Sequence, residues 1–483
     1  MTIVTRFDLL KHRRTKIVAT VGPSSRSPAQ VRALIQAGVD VFRVNMSHGK
    51  HSEHAAAIAV IREQAAALGT YTAILADLCG PKIRTGKFPD GPVTLVRDEA
   101  VTVTVRDVPG SASLIPSQYA GLAEDVRPGD RILLNDGAAE LTVLTVTGTE
   151  VQCRVVQGGP IGDHKGINLP GVNVSAPSLT AKDIEDAHFA LGQQVDFIAL
   201  SFVRTAADVE SLRAVIESGD ARPWIIAKIE KPEALENSVE ILQVADGIMV
   251  ARGDLGVELP PEQVPLAQAQ LVNTARLYDK PVIVATQMLE SMISAARPTR
   301  AEVTDVSNAV ASGADAVMLS GETAVGAFAV ETVEIMSRII RQTESYQFHT
   351  RPSGAQAHTG GHGHLSAGDA VASAAAQLVV DISARAVVLI SSRGMTASTI
   401  CAARPDAPVI AISADPLICR RLQLLWGAIP IYDQSAGAAH PNAVARQVAQ
   451  QLGLAASGQF IVLVRGFHAD PEINSPSITL LAL

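Results

Sequence analysis

Residues 224–237 read WIIAKIEKPEALEN. The run Trp224-Ile225-Ile226-Ala227 has the unbroken apolar character of a strand covered on both faces. Lys228 and Glu230 follow, two residues apart, so a strand's period of two places a cation and an anion on one face near its end. Burying either charge is costly unless it is paired or binds something. The stretch calls for a fold whose strands end at a polar site.

Seven more runs share this character: KIVATVG from Lys16, VFRVNMSHG from Val41, TAILADL from Thr72, FIALSF from Phe197, GIMVAR from Gly247, PVIVATQ from Pro281 and AVMLSGE from Ala316. Segments of helical period separate most of them. Near-continuous apolar strands alternating with helices signal a parallel sheet covered on both faces, and eight such units predict a closed (βα)8 TIM barrel in an α/β chain.

The rhythm breaks once, from Thr85 to Pro177. VTLVRDEAVTVTV and RILLNDGAAELTVLTV alternate with period two and are bounded by Gly, Pro and Asp, which predicts an inserted all-β domain after the third strand. The barrel is expected in two parts, residues 1–84 with a short N-terminal extension and 178–348, around an insertion at 85–177. Residues 349–366 read as a Gly/Ser/His-rich linker, in which His358, His362 and His364 are a weaker candidate metal cluster. Residues 367–483, with AVVLISS, PVIAIS, IPIYD and FIVLVRG, predict a doubly wound α/β domain.

Composition narrows the function classes. The 483 residues carry 40 Lys+Arg against 48 Asp+Glu, a net charge of -8, which argues against nucleic-acid binding by a basic surface but leaves room for a locally positive pocket. Cys79, Cys153, Cys401 and Cys419 form no C-x-x-C pair, so a reduced, cytoplasmic setting is expected. No basic-then-apolar leader and no apolar run of about 18 residues is read, so no membrane partner is expected.

Barrel active sites lie at the C-terminal ends of the strands. Those ends read GPSS, RVNMSHG, ADLCGPKIRTG, SF, KIE, RGDLG, TQ and SGET. Singly, each has an ordinary structural reading: Lys228–Glu230 as an internal ion pair, Asp254 as a helix cap, Thr286 as a polar strand end. Together they supply what phosphoryl transfer needs: cations for phosphoryl oxygens (Arg43, Lys228), carboxylates for a divalent ion (Glu230, Asp254), and glycine-rich turns for anions.

These residues resemble the pyruvate kinase family through KIVATVGPSS, RVNMSHG, GPKIRTG, KGINLPG, IIAKIE, RGDLGVE, VATQMLESM, PTRAEVTDVSNAV and MLSGETA, in family order over nearly the whole chain. The resemblance implies transfer of the phosphoryl group of phosphoenolpyruvate to ADP, giving pyruvate and ATP. It implies that Arg43 and Lys228 contact the phosphoryl group, that Lys228 also stabilises the enolate, and that Glu230 and Asp254 hold Mg²⁺ or Mn²⁺. It sets the substrate carboxylate at Gly253 and Asp254 near Thr286. Thr286 and its water are implicated in delivering the proton, without the threonine having to be the acid. For ADP/ATP it points to Pro23, His48, Arg84, Lys165 and Asp136.

One departure from the family pattern concerns K⁺. Asn45, Ser47 and Asp77 match the monovalent-cation set, but Leu78 stands where a Thr is usual and Lys82 where K⁺-dependent members carry Glu. The resemblance is to the K⁺-independent branch, with an ammonium supplying the charge. In ISSRGMTAS, residues Ser391, Ser392, Arg393, Gly394 and Thr396 resemble the loop for a phosphorylated allosteric effector, and the family implies a homotetramer. Two rival classes remain at this point: a carbon–carbon lyase on a related phosphoenolpyruvate/pyruvate barrel, and a non-catalytic sensor. The first would not need Lys165 and Arg84; the second would be expected to have lost site residues.

Overall fold

The computed structural model describes residues 13–135, 137–217, 222–350, 366–436, 440–468, 470, 472 and 474–483. Asp136 and the histidines His358, His362 and His364 lie outside them.

The eight apolar runs form the strands expected of them. They are β1 (Lys16–Thr20), β2 (Val41–Asn45) and β3 (Ala73–Asp77), then, after the eight strands of the insertion, β12 (Phe197–Leu200), β13 (Trp224–Ile229), β14 (Gly247–Ala251), β15 (Val282–Ala285) and β16 (Ala316–Leu319). They close in that order into a parallel barrel, with β16 pairing back to β1. Alternate residues explain the unbroken apolar runs. Val18, Leu75, Phe197, Ile226, Met249 and Ile283 fill the interior, while Ile17, Ile74, Ile198, Ile225 and Val250 pack outward among the helices.

The barrel floor is built by a repeated device. Asp40, Asp196, Asp246 and Asp315 each stand one residue before an even-placed strand of the barrel, in VDVF, VDFI, ADGI and ADAV. Each accepts a backbone N–H from the neighbouring strand, from Ile17 (2.9 Å), Ile74 (2.8 Å), Ile225 (2.9 Å) and Val282 (3.0 Å) respectively. Each also pairs with arginine: Asp40 with Arg13, Asp196 with Arg62 and Arg420, Asp246 with Arg213, Asp315 with Arg404. Asp40, Asp196 and Asp315 are buried and Asp246 half-buried, and all four are thereby hydrogen-bonded and charge-paired.

The insertion carries β4 (Val93–Thr94), β5 (Ala100–Thr104), β6 (Leu114–Pro116), β7 (Arg131–Leu134), β8 (Ala139–Thr147), β9 (Glu150–Gln157), β10 (Pro160–Ile161) and β11 (Ile167–Asn168). Six of them form the sheet β11-β7-β8-β9-β5-β6, and β10 pairs with β4. It is not purely β, because Leu122–Asp125 is a short helix. It has its own core around Val101, Ile115, Ile132, Leu141 and Val155. Arg204 of the barrel holds the returning strap by donating to the carbonyls of Val174 and Ala176.

The helix Ala329–Thr350 runs through position 348, where the barrel was expected to end. The C-terminal sheet has β17 (Val387–Ile390), β18 (Val409–Ser413), β19 (Ala428–Tyr432), β20 (Phe460–Arg465) and β21 (Ser477–Ala482), ordered β19-β18-β17-β20-β21. Separate apolar clusters cover its two faces, as a doubly wound sheet requires. The antiparallel edge strand β21 was not anticipated from the sequence. Leu424 of this unit joins the barrel's interior cluster, and Trp224 packs edge-on to Phe197 at 6.1 Å, so the floor is sealed.

Candidate active site

Lys228 sits at the centre of the opposite end. Its Nζ lies 2.9 Å from Glu230 Oε1, 3.4 Å from Asp77 Oδ1 and 2.7 Å from Ser201 Oγ. The direct pairing with Glu230 is the internal ion pair that the spacing of two allows. Arg43 reaches the same carboxylate from β2, with Nε 2.6 Å from Asp77 Oδ2 and Nη1 donating to Thr20 Oγ1 at 3.0 Å. Asp77 thus ties together the two cations predicted to face the phosphoryl group.

The two buried carboxylates respond in opposite directions. Burial alone would push Asp77 up, but Lys228 and Arg43 more than offset it and hold it below the ordinary carboxylate range. Burial pushes Glu230 up; Lys228 offsets this only in part, and the negative charge of Asp254 adds to the rise. Lys228 would be lowered by burial, yet Asp77 and Glu230 raise it, so it remains an ammonium. Glu230 and Asp254 line one cleft and are the carboxylates there that could hold a divalent cation. Mg²⁺ suits them, because it needs only one or two carboxylates and keeps several waters.

Local strain shapes both sides of this cluster. Phe202, at φ +54°, turns its N–H onto Glu230 Oε2 at 2.7 Å. Gly80 allows this turn, since a Cβ there would meet Phe202 Cδ2 at 2.8 Å and Ser201 Cβ at 2.9 Å. Beyond β15, Thr286 and Gln287 are both left-handed, at φ +71° and +53°. Such residues cost about 1–3 kcal/mol each and persist where surroundings over-determine them. Gly253 N–H donates to Thr286 Oγ1 at 2.7 Å, and the Thr286 hydroxyl donates to Ala285 O at 2.6 Å.

A cleft of about 140 Å³ gathers Arg43, Asn45, Ser47, His48, Asp77, Leu78, Lys82, Arg84, Lys228, Glu230 and Asp254, and adds Cys79, Ser201 and Phe202. Lys82 Nζ lies 3.9 Å from Asp254 Oδ1. Asn45 Oδ1 accepts the N–H of Ser47, which shapes the turn before His48. Pro23 and Lys165 do not line this cleft; both are exposed. Lys165 is tied through its backbone to Thr85, whose neighbour Arg84 donates to His164 O at 3.1 Å.

At the other end of the barrel, the predicted effector turn leads into the helix Met395–Ala402. Ser391 and Thr396 are buried, while Ser392 and Arg393 are exposed. Ser391 Oγ accepts the N–H of Gly394, which has φ +92° and packs so closely that a Cβ would lie 2.9 Å from Trp224 Cζ2. Of the five, only Arg393 borders the cavity of about 440 Å³ between Trp224, Lys280, Ser398 and His468.

Comparison with known proteins converges on one family. The sequence profile of the pyruvate kinase barrel domain matches residues 12–333, and that of the pyruvate kinase alpha/beta domain matches 369–475. The chain belongs to the pyruvate kinase family. Pyruvate kinases from Agrobacterium vitis and Mycobacterium intracellulare are 45% and 44% identical to it, over 94% of this chain and 95% of each relative. The crystal structure of a pyruvate kinase from Cryptosporidium parvum superposes with a TM-score of 0.89 at 36% identity, covering 98% of this chain and 97% of that one. The chain is an enzyme of this phosphotransferase class, whose glycolytic reaction transfers a phosphoryl group between the substrates phosphoenolpyruvate and ADP and which generally uses Mg²⁺. Among the described residues, no helix is long and apolar enough to cross a membrane.

Two contributors escaped the sequence reading. Ser201 was visible as the strand end SF, but nothing local revealed that its hydroxyl meets Lys228. Arg252, in RGD, was overshadowed by its neighbours Gly253 and Asp254.

Proposed function

We propose that the Lys228 cluster carries the family's reaction in this chain. Arg43 and Lys228 take the phosphoryl oxygens as the group passes from the enol oxygen to the terminal phosphate of ADP. Lys228 then faces the enolate oxygen left behind, a preorganised charge aimed where negative charge develops. The enolate carbon takes a proton from the side of Thr286, directly or through its water, and becomes the methyl group of pyruvate. Glu230 and Asp254 would hold the divalent ion, which when bound supplies positive charge to the phosphate and enolate oxygens. Gly253 and Asp254 receive the substrate carboxylate beside Thr286. Pro23, His48, Arg84, Lys165 and Asp136 serve the nucleotide, with residues 85–177 closing as a lid that excludes water. The carrying observation is Lys228 held between Asp77 and Glu230 with Arg43 on the same carboxylate.

The test measures pyruvate formed from phosphoenolpyruvate with and without ADP and Mg²⁺. Strict dependence on both is expected. Equal rates without ADP would favour the lyase class, and no pyruvate under any condition would favour a sensor.

The finer readings follow the same residues. Lys82, beside the set Asn45, Ser47, Asp77 and Leu78, supplies the charge that K⁺ supplies elsewhere. The turn Ser391, Ser392, Arg393, Gly394 and Thr396 takes a phosphorylated effector, a reading supported by the cavity bordering Arg393. Titrating sugar phosphates and nucleoside monophosphates against substrate saturation tests it; no response to any would leave the turn structural. A cytoplasmic homotetramer with residues 1–84 and 178–348 as catalytic barrel, 349–366 as linker and 367–483 as regulatory domain completes the proposal, with neither nucleic acid nor membrane as partner.

A further inference from the structure

We propose that Arg252 is a positioning residue for the protonation step, acting through Thr286, and that Asp305 anchors it. The inference rests on the reading of Thr286 given above. A β-branched residue at φ +71° is a genuine backbone outlier, and Gln287 prolongs the left-handed conformation at φ +53°. Something must hold this turn against its tendency to relax.

Arg252 does so from beneath. Its side chain is 9% exposed, and its donors point into the protein. Nη2 donates to Thr286 O at 2.7 Å, and Nε to Ala285 O at 3.3 Å, so one guanidinium holds two successive carbonyls of the turn. Nη1 donates to Asp305 Oδ1 at 2.6 Å, on the helix Arg300–Ser312, and to the buried Gln268 at 3.4 Å. Arg252 also opens the short helix Arg252–Glu258 that carries Gly253 and Asp254. The Thr286 hydroxyl is therefore located from three directions: by Gly253 N–H at its oxygen, by Ala285 O at its proton, and by Arg252 at its backbone. Through this one side chain, the turn bearing Asp254 and the turn bearing Thr286 keep a fixed relation.

A planar fork with five donors can hold two carbonyls and a carboxylate together; the ammonium of lysine is a point charge on a flexible stem and cannot reproduce that geometry. Loosening the clamp lets Thr286 move toward ordinary φ and carries its hydroxyl away from the enolate carbon. The bonds of Arg43 and Lys228 to Asp77 and Glu230 do not involve Arg252, so phosphoryl contacts stay in place.

The experiment compares wild type, Arg252→Lys, Asp305→Asn and Thr286→Val as full-length enzymes with Mg²⁺. One readout is steady-state pyruvate formation. The other is exchange of pyruvate methyl protons with D₂O in the presence of inorganic phosphate, followed by NMR. This reads only removal of a proton to the enolate and return of a deuteron. In Arg252→Lys, exchange and kcat are expected to fall together by about 100-fold, the loss typical of a reacting group displaced by about 1 Å, with KM for phosphoenolpyruvate within about threefold of wild type. Asp305→Asn should show a smaller fall of both. Normal exchange in a folded Arg252→Lys enzyme, beside depressed exchange in Thr286→Val, overturns the role of Arg252 and leaves that of Thr286 standing. Normal exchange in Thr286→Val overturns both. If Arg252→Lys does not fold, Asp305→Asn decides: unchanged exchange overturns the proposal.

Discussion

The barrel carries buried charge at both ends, and the two ends handle it differently. At the floor, each of four aspartates accepts a backbone N–H and pairs with arginine, so its demand is met by the protein. At the mouth, Asp77, Glu230 and Asp254 share Lys228, Arg43 and Lys82 among themselves. Glu230 remains pushed up, first by burial and then by its acidic neighbour Asp254. The floor spends its ion pairs on holding strands and the C-terminal unit together. The mouth keeps charges in a state that a ligand and a cation would complete, and such arrangements favour function over stability.

The contrast breaks first at Glu230. Glu230→Gln keeps an acceptor for the Phe202 N–H but removes the metal-seeking charge, so turnover should drop by about 10³-fold, as for loss of a major electrostatic group. Its thermal stability should match or exceed wild type; a clear loss of melting temperature would place Glu230 with the floor residues. Next comes Asp315→Ala, which strands the Arg404 guanidinium and the Val282 N–H. Denaturant unfolding should show a loss of about 3 kcal/mol, as for a broken buried pair, while turnover of the folded enzyme stays near wild type.

A smaller effect is read in pH. The folded-state pKa of Glu230 lies above its unfolded value, so the folded wild type holds this proton more tightly than the unfolded chain. Any stability advantage of metal-free Glu230→Gln is present above the raised folded value. It is lost as pH falls through that value toward the ordinary one of about 4.3, at up to roughly 1.4 kcal/mol per pH unit. An advantage that instead grows on acidification would mean the shift has the opposite sign. The smallest expectation concerns K⁺: added to enzyme assayed without K⁺ or Na⁺, it should change turnover by less than about twofold, because the Lys82 ammonium already lies beside Asp254. A many-fold gain would remove Lys82 from that role.

What was legible in the sequence follows from the same contrast. Strands buried on both faces announce themselves as apolar runs, so all eight barrel strands were readable, as were the polar residues at their ends. The edge strand β21 was not, because SITLLA is half exposed and lies against only one neighbour. The floor aspartates follow a visible pattern, an Asp before alternate strands, yet their arginines come from distant segments such as Arg404 and Arg420. The contacts of Ser201 and Arg252 depend on side-chain direction across neighbouring strands, which spacing alone does not specify. Lys165 carries the family motif, but its exposed position depends on where the inserted domain sits, which a motif does not encode.

The most direct measurement is the turnover of Lys228→Met with phosphoenolpyruvate, ADP and Mg²⁺, taken beside its melting curve and its Mn²⁺ affinity. If Lys228 is the charge that meets the transferring group, pyruvate formation falls by about 10³-fold or more while the enzyme stays folded and still binds the ion. Near-normal turnover in a folded, metal-binding Lys228→Met enzyme would contradict it.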